Sequence, residues 1–189
     1  MIVIGLSGRK GCGKDTCADY LVSKYGFVKL AFADTLKDLC KTVFGFNNEQ
    51  LYGNLKEQID PFWEHSPREI MQTVGTELFR NTLPIYLKNL NENIWIRILE
   101  KKIKHHLENG NTKIIITDIR AHNELQFVKQ IEGIVWKITR KDDNRNEYSN
   151  HSSETLVDEL NFDKLILNDS SIMDFYSIID KLICTYNNE

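Results

Sequence analysis

The chain alternates short, unbroken apolar runs with longer stretches in which apolar residues recur at helical spacing. Ile2 to Leu6 predicts a buried strand, and Asp15 to Tyr25 an amphipathic helix. Phe27 to Phe32 reads as a second strand and Thr35 to Phe44 as a second helix. Farther on, the β-branched run Lys113 to Thr117 predicts a strand that ends at Asp118. A helix over Asn123 to Ile131, a strand over Ile134 to Thr139 and a last strand over Phe162 to Leu167 follow. Ile172, Phe175, Tyr176, Ile179, Leu182, Ile183 and Tyr186 then repeat at helical spacing, so the final helix docks through one apolar stripe. Strands alternating with helices in this way predict an α/β domain with a mainly parallel sheet.

The middle of the chain breaks this rhythm. From Phe46 to Leu83 it carries turn residues, aromatics and helical pieces, without a clear strand. Ser66-Pro67-Arg68-Glu69 is a helix start: Ser66 caps, Pro67 takes the first helical position, and Glu69 completes a capping box. Another helix runs from Ile94 to Glu108 and stops at Asn109-Gly110. Arg140 to Ser152 is polar and charged and reads as a long mobile loop.

Composition narrows the classes. The 189 residues suit one domain with room for a small mobile subdomain, and such a chain builds a core without staples. A net charge of -3 and the absence of a Lys/Arg run exclude a broad footprint for nucleic acid, but leave room for a local anion site. Cys12, Cys17, Cys40 and Cys184 form no CxxC pair, as expected of reduced thiols. Cys17, Cys40 and Cys184 are expected to be buried as small hydrophobes. The run Met1 to Leu6 is too short for a signal peptide and no membrane span follows, which predicts a cytoplasmic protein without a membrane partner.

The chemistry concentrates just after the first strand. Gly8-Arg9-Lys10-Gly11-Cys12-Gly13-Lys14-Asp15-Thr16 has the spacing of a phosphate loop, Gly8 and then Gly13-Lys14 after four residues. Its glycines let successive N–H groups turn inward onto phosphate oxygens. The following helix adds the positive end of its dipole, and Lys14 supplies a full mobile charge. The Ser/Thr that usually follows the lysine and holds Mg²⁺ is replaced by Asp15. Either Asp15 takes the metal, directly or through water, or Thr16 does. Asp118, at the end of its strand, is the second candidate for the metal, with helix capping as its alternative.

These residues resemble the phosphate loop of the deoxynucleoside monophosphate kinases of bacteriophages and other large DNA viruses. The likeness continues through Phe32-Ala33-Asp34, Lys37, Gln50-Leu51-Tyr52-Gly53, Lys56-Glu57, Asp60-Pro61 and Trp63. It resumes at Pro67-Arg68-Glu69-Ile70, Gly75-Thr76-Glu77 and Arg80, and again at Thr117-Asp118-Ile119-Arg120 with Asn123-Glu124. His151 with Ser153-Glu154 and the pair Asn168-Asp169 close it, so the likeness covers nearly the whole chain in one order. It implies a P-loop NTPase fold of the nucleoside-monophosphate-kinase type, a parallel sheet flanked by helices. It also implies ATP as donor, Mg²⁺ as cofactor and a deoxynucleoside monophosphate as acceptor, and is compatible with a homodimer. On this reading there is one kinase domain, with a core of about 1–45 and 94–189. A helical acceptor-binding insertion takes about 46–93, and a lid loop about 140–152. Cys12 departs from the commoner Ser or Ala of the family loop.

A monophosphate acceptor is largely dianionic at neutral pH, its second pKa being about 6, so it needs no general base. The obstacle is repulsion: two unit charges about 4 Å apart cost roughly 4 kcal/mol at an effective dielectric of 20. Arginine meets that need because it keeps its charge and grips phosphate bidentately. Arg68 and Arg80 are the candidates for the acceptor phosphate, and Arg120 for the path of transfer. Arg9 and Lys10 either bridge donor and acceptor or are exposed loop charges. Arg140 and Arg145 either close over ATP or are solvated. Asp34 reads a base edge or caps its helix, Lys37 is carried by the resemblance, and Trp63 with Phe62 stacks on a base or joins the core. His65 and His151 read as surface or capping residues. Lys14, Asp15, Arg120 and Lys10 are the catalytic candidates, and Gly8, Gly11, Cys12, Gly13 and Thr16 complete the ATP loop.

Another P-loop small-molecule kinase is the nearest rival, either dephospho-coenzyme A kinase or phosphomevalonate kinase, which shares Gly13-Lys14-Asp15. The match from Gln50 to Arg80 stands against it. A nucleotide-binding switch is disfavoured because no Asn-Lys-x-Asp motif appears and no DxxG follows Asp118.

Overall fold

A computed structural model describes residues 1–90, 93–141 and 161–186. The described strands are β1 (Ile2–Ser7), β2 (Val28–Leu30), β3 (Lys113–Ile119), β4 (Ile134–Thr139) and β5 (Lys164–Leu167). They form one sheet in the order β2-β3-β1-β4-β5, with every pairing parallel. The helices are α1 (Lys14–Tyr25), α2 (Asp34–Phe44), α3 (Asn48–Leu51), α4 (Pro67–Gln72), α5 (Leu83–Tyr86), α6 (Ile94–Glu108), α7 (His122–Gln130) and α8 (Ile172–Tyr186). Between α4 and α5 the chain runs as a π-helix, Thr73–Thr82, whose pattern shows in the Leu83 backbone N–H donating to the Leu78 carbonyl, five residues back. Such helices are rare. Here the Trp95 indole N–H donates to the Gly75 carbonyl at 3.0 Å.

The chain divides into two compact units, Met1–Ala31 with Ile103–Glu189, and Phe32–Lys102. The first holds the whole sheet. Ile4 and Leu6 of β1, Ile115 of β3, Trp136 and Ile138 of β4 and Ile166 of β5 share one core with Cys17, Ala18 and Leu21 of α1. Phe175, Ile179 and Ile183 of α8 complete it, so the apolar stripe of the last helix docks as its spacing predicts. Each large side chain buried in this way contributes roughly 1.5–3 kcal/mol. Gly5 faces the opposite side, where a Cβ would strike Ile119 and meet Val128 of α7 at 3.5 Å.

The second unit has its own core of Cys40, Phe46, Leu51 and Met71, with Leu36, Leu39, Phe44, Trp63 and Ile70 packed against it. Two capping boxes start its helices, Asn47 with Gln50 and Ser66 with Glu69, the second as its sequence predicts.

Several boundaries differ from expectation. The strand expected over Phe27 to Phe32 shrinks to Val28–Leu30, because Phe27 is held in the turn after α1 by its N–H to the Leu21 carbonyl. The last strand begins at Lys164 rather than Phe162, since Asp163 uses its carboxylate to hold the Val135 N–H and Lys129. β3 runs on to Ile119, so Asp118 lies within the strand and not at its end. Asp34 stands inside the first turn of α2, with Ala33 at the cap position. Cys184, expected to be buried, is exposed on the outer side of α8. The lid candidate Arg145, together with His151, Ser153 and Glu154, lies outside the described residues, as does most of the loop expected over 140–152. Among the described residues no helix is long and apolar enough to cross a membrane.

Candidate active site

β1 lies between β3 and β4, so the crossovers leaving its neighbours diverge at its C-terminal end. That divergence is where parallel α/β sheets open a crevice for ligands. The loop Gly8–Gly13 fills this position and runs directly into α1. Its start is set by Ser7, a buried residue whose hydroxyl donates to the Ile119 carbonyl at 2.8 Å, beside a shift in the β1–β3 register.

The glycines are needed where the loop needs them. Gly8 has φ 140°, and a Cβ there would run into the Ile138 carbonyl oxygen and come within 2.8 Å of the Cys12 sulfur. Gly13 has φ 111°, and a Cβ would run into the Asn168 carboxamide. Gly13 precedes α1 without a side-chain cap, so the first amides of a twelve-residue helix are not satisfied by a capping side chain. Lys14 folds back over the loop. Its ammonium donates to the Gly8 and Arg9 carbonyls, both at 2.7 Å, and approaches the Cys12 sulfur at 3.7 Å. Cys12 is fully buried, and Cys17 one turn below has its thiol pushed up to about 12 by burial, with Cys12 nearby adding to the rise. A glycine loop that runs into a helix start without a side-chain cap, with a cation folded against it, is a site for an oligophosphate.

The acidic candidates divide. Asp118 is half-buried on β3, next to Ile119, whose carbonyl holds Ser7. Asp15 is largely exposed, and its carboxylate accepts from Lys29 at 3.1 Å, while Lys29 also donates to Asp19 at 2.9 Å. Burial pulls the Lys29 ammonium down, but its bonds to Asp19 and Asp15 outweigh that and raise its pKa. Thr16 is half-buried in the first turn of α1. Among the described residues no three His, Cys, Asp or Glu side chains converge on a metal. An oxygen set of one or two carboxylates and a hydroxyl, completed by substrate phosphates, suits Mg²⁺ rather than a metal caged by protein alone.

Arg9 is half-buried, while Lys10, Gly11, Arg120 and Arg140 are exposed. Arg120 follows β3, and its backbone N–H donates to the buried Glu124 carboxylate at 2.9 Å. In the second unit, Arg68 lies in the first turn of α4 and donates from Nε to Glu57 at 2.6 Å. Arg80 lies half-buried on the π-helix. The Lys37 ammonium sits 4.2 Å from the centre of the Tyr52 ring. Trp63 is partly buried, with its indole N–H donating to the Phe44 carbonyl at 3.0 Å, whereas Phe62 is 80% exposed. His65 is exposed, 3.9 Å from Glu69.

Two residues at the site received no role from the sequence. Lys29 lies in a short strand opposite Asp15 and Asp19, one helical turn apart, and that charge pattern was its signal. Asn168, directly after β5, donates to the Cys12 carbonyl at 2.9 Å across 156 positions of sequence. Only the pair Asn168-Asp169 marked it.

The sequence model of the deoxynucleotide monophosphate kinase family matches residues 47–179. A relative from Acanthamoeba polyphaga mimivirus, named "Putative deoxynucleotide monophosphate kinase", is 35% identical over 95% of this chain and 94% of its own length. The chain belongs to the deoxynucleotide monophosphate kinase family. It is therefore an enzyme, a phosphotransferase that acts as a nucleotide kinase. Among solved structures, TT1252 from Thermus thermophilus is similar at a TM-score of 0.52 and 18% identity, over 97% of both chains. Dephospho-CoA kinase from Campylobacter jejuni is similar at 0.50 and 16% identity, over 97% of this chain and 96% of that one. These two likenesses establish the fold alone and nothing about the acceptor.

Proposed function

We propose that this family member transfers the terminal phosphoryl group of ATP, taken as its Mg²⁺ complex, to a deoxynucleoside monophosphate by in-line displacement. The observation that carries the reading is the loop Gly8–Gly13 closed around the Lys14 ammonium at the switch point of the sheet. Loop amides and Lys14 take the donor's phosphates. Lys14 exchanges its bonds to the Gly8 and Arg9 carbonyls for phosphate oxygens, which are stronger acceptors because they are charged. Asp118, with Asp15 or Thr16, holds the metal, and Lys29 holds the Asp15 carboxylate until then. When bound, Mg²⁺ neutralises developing charge on the transferred group.

On the acceptor side, Arg68 and Arg80 bind the phosphate, with Glu57 fixing the Arg68 guanidinium by its Nε. Asp34, Lys37 and Trp63 serve the nucleoside. Arg120, Arg9 and Lys10 supply positive charge along the path of transfer, and Arg140 with Arg145 closes over the donor. The domain plan is one kinase domain with an acceptor-binding insertion and a lid. Coupled ATP consumption against all deoxy- and ribonucleoside monophosphates tests the reading. Turnover with one or more deoxynucleotides is expected. Turnover only with other phosphorylated acceptors, such as dephospho-coenzyme A or phosphomevalonate, would overturn it.

A further inference from the structure

One carbonyl of the phosphate loop is held from far away in the sequence. Gly8 and Arg9 turn their carbonyl oxygens to the Lys14 ammonium, and Gly13 accepts from the Cys17 amide in the first turn of α1. Cys12 gives its carbonyl to Asn168, which donates through Nδ2 at 2.9 Å. Asn168 is buried directly after β5, and its own backbone N–H donates to the Thr139 carbonyl at 2.8 Å. Its carboxamide fills the space that a Cβ on Gly13 would need.

A peptide group is planar and trans, so its C=O and the N–H that follows point in opposite directions. Holding the Cys12 carbonyl toward Asn168 therefore turns the Gly13 N–H away from Asn168. We propose that Asn168 is a positioning residue of the phosphate loop: by anchoring the Cys12 carbonyl it aims the Gly13 N–H at the donor's phosphates. The inference rests on reading Gly8–Gly13 as the phosphate cradle. Asparagine suits the task because its carboxamide donates without bringing charge near an anion. A carboxylate in its place would have nothing to donate and would repel both the carbonyl and the phosphates. Next to it, Asp169 accepts from the Lys141 backbone N–H at 2.7 Å. The two residues after β5 thus fasten the loop after β1 and the chain leaving β4.

Tripolyphosphate carries the phosphates without base or sugar, so its affinity reads the loop alone. Asn168→Ala removes the anchor, and Asn168→Asp replaces the donor by an acceptor of equal size. Calorimetric affinities for ATP and for tripolyphosphate, both with Mg²⁺, are expected to fall together. One charge-assisted hydrogen bond corresponds to roughly ten- to hundred-fold for Asn168→Ala, and the loss with Asn168→Asp is larger. A purely structural role would lower the melting temperature and leave both affinities at the wild-type value. Folded variants that bind both ligands normally, or that lose ATP but keep tripolyphosphate, overturn the proposal. In the wild-type protein, the Gly13 amide proton is expected to move downfield in NMR spectra when tripolyphosphate is added. Should neither variant fold, the absence of that shift overturns the proposal instead. A wild type that binds neither ligand defeats the cradle reading itself, and this inference with it.

Discussion

Gly8 and Gly11 belong to one loop and both have positive φ, yet their surroundings predict different outcomes when each becomes alanine. At Gly11, φ is 82° and nothing lies within 4 Å of an added Cβ. The cost is the backbone conformation alone, about 1–2 kcal/mol. At Gly8, φ is 140°, and the added Cβ meets the backbone carbonyl of Ile138 as well as the Cys12 sulfur. Backbone conformation there costs about 1–3 kcal/mol, and forcing a methyl into a packed site adds about 1–3 kcal/mol. The carbonyl belongs to β4, which is buried at Ile138 and paired to β5, so it cannot swing aside. The loop must move instead, and a displacement of about 1 Å at a reacting centre costs roughly 100-fold in rate. Urea melts and steady-state kinetics on both variants test this. Gly8→Ala should lose about 2–6 kcal/mol of stability and at least roughly 100-fold in kcat/KM. Gly11→Ala should lose about 1–2 kcal/mol and keep most of its activity. Equal losses for the two, or a fully active Gly8→Ala, would refute the packing argument.

The Asp180 carboxylate on α8 accepts from the Tyr20 hydroxyl at 2.8 Å, the Tyr25 hydroxyl at 2.7 Å and the Lys24 ammonium at 2.7 Å, joining α8 to α1. Burial would raise its pKa, but the bonds from Lys24, Tyr25 and Tyr20 win and lower it, while burial and the bond to Asp180 push the Tyr25 hydroxyl up to about 12. A depressed carboxylate stabilises the fold above its ordinary pKa of about 4 and loses that effect as pH falls through its folded value. A raised phenol stabilises below its ordinary pKa of about 10 and loses that effect as pH rises through its folded value. Asp180→Asn should therefore cost about 1–2 kcal/mol at neutral pH, a gap that is flat through the middle range and narrows toward pH 3 in denaturant melts. An unchanged gap at pH 3 would contradict this. Of the four thiols, only Cys184 is exposed, while burial pushes Cys40 up to about 11 and holds Cys17 near 12. A thiol reagent at neutral pH should modify one cysteine quickly in the folded protein and all four in denaturant; several fast thiols would show an open loop. Arg68→Ala should raise the KM for the deoxynucleotide roughly ten- to hundred-fold with little change in that for ATP, and a normal acceptor KM would remove Arg68 from the site.

The parts of this fold that depend on neighbours in sequence were legible in it. Spacing from Gly8 to Lys14 located the loop, Ser66 to Glu69 announced the start of α4, and the apolar stripe of α8 needed only its period. Contacts between distant segments were not. Nothing local ties Asn168 to Cys12, and β2 is cut short by a backbone bond from Phe27 that the apolar run Phe27 to Phe32 does not reveal. A charge directly after the apolar run Lys113 to Thr117 predicts a strand end at Asp118. In the structure the ladder continues through it to Ile119, where pairing with β1 resumes after the register shift. The π-helix also escaped, since its support comes from Trp95, twenty residues away from Gly75.

The most direct test of the account is transfer of label from γ-³²P-ATP to each deoxynucleoside monophosphate, with Mg²⁺ supplied, by the wild-type protein and by Lys14→Met. The wild type should form labelled diphosphate. The variant, still folded by circular dichroism, should form it at least about 100-fold more slowly, as for loss of a donor aimed at developing charge. A folded wild type that labels no deoxynucleotide, or a Lys14→Met protein that labels as fast as wild type, would contradict it.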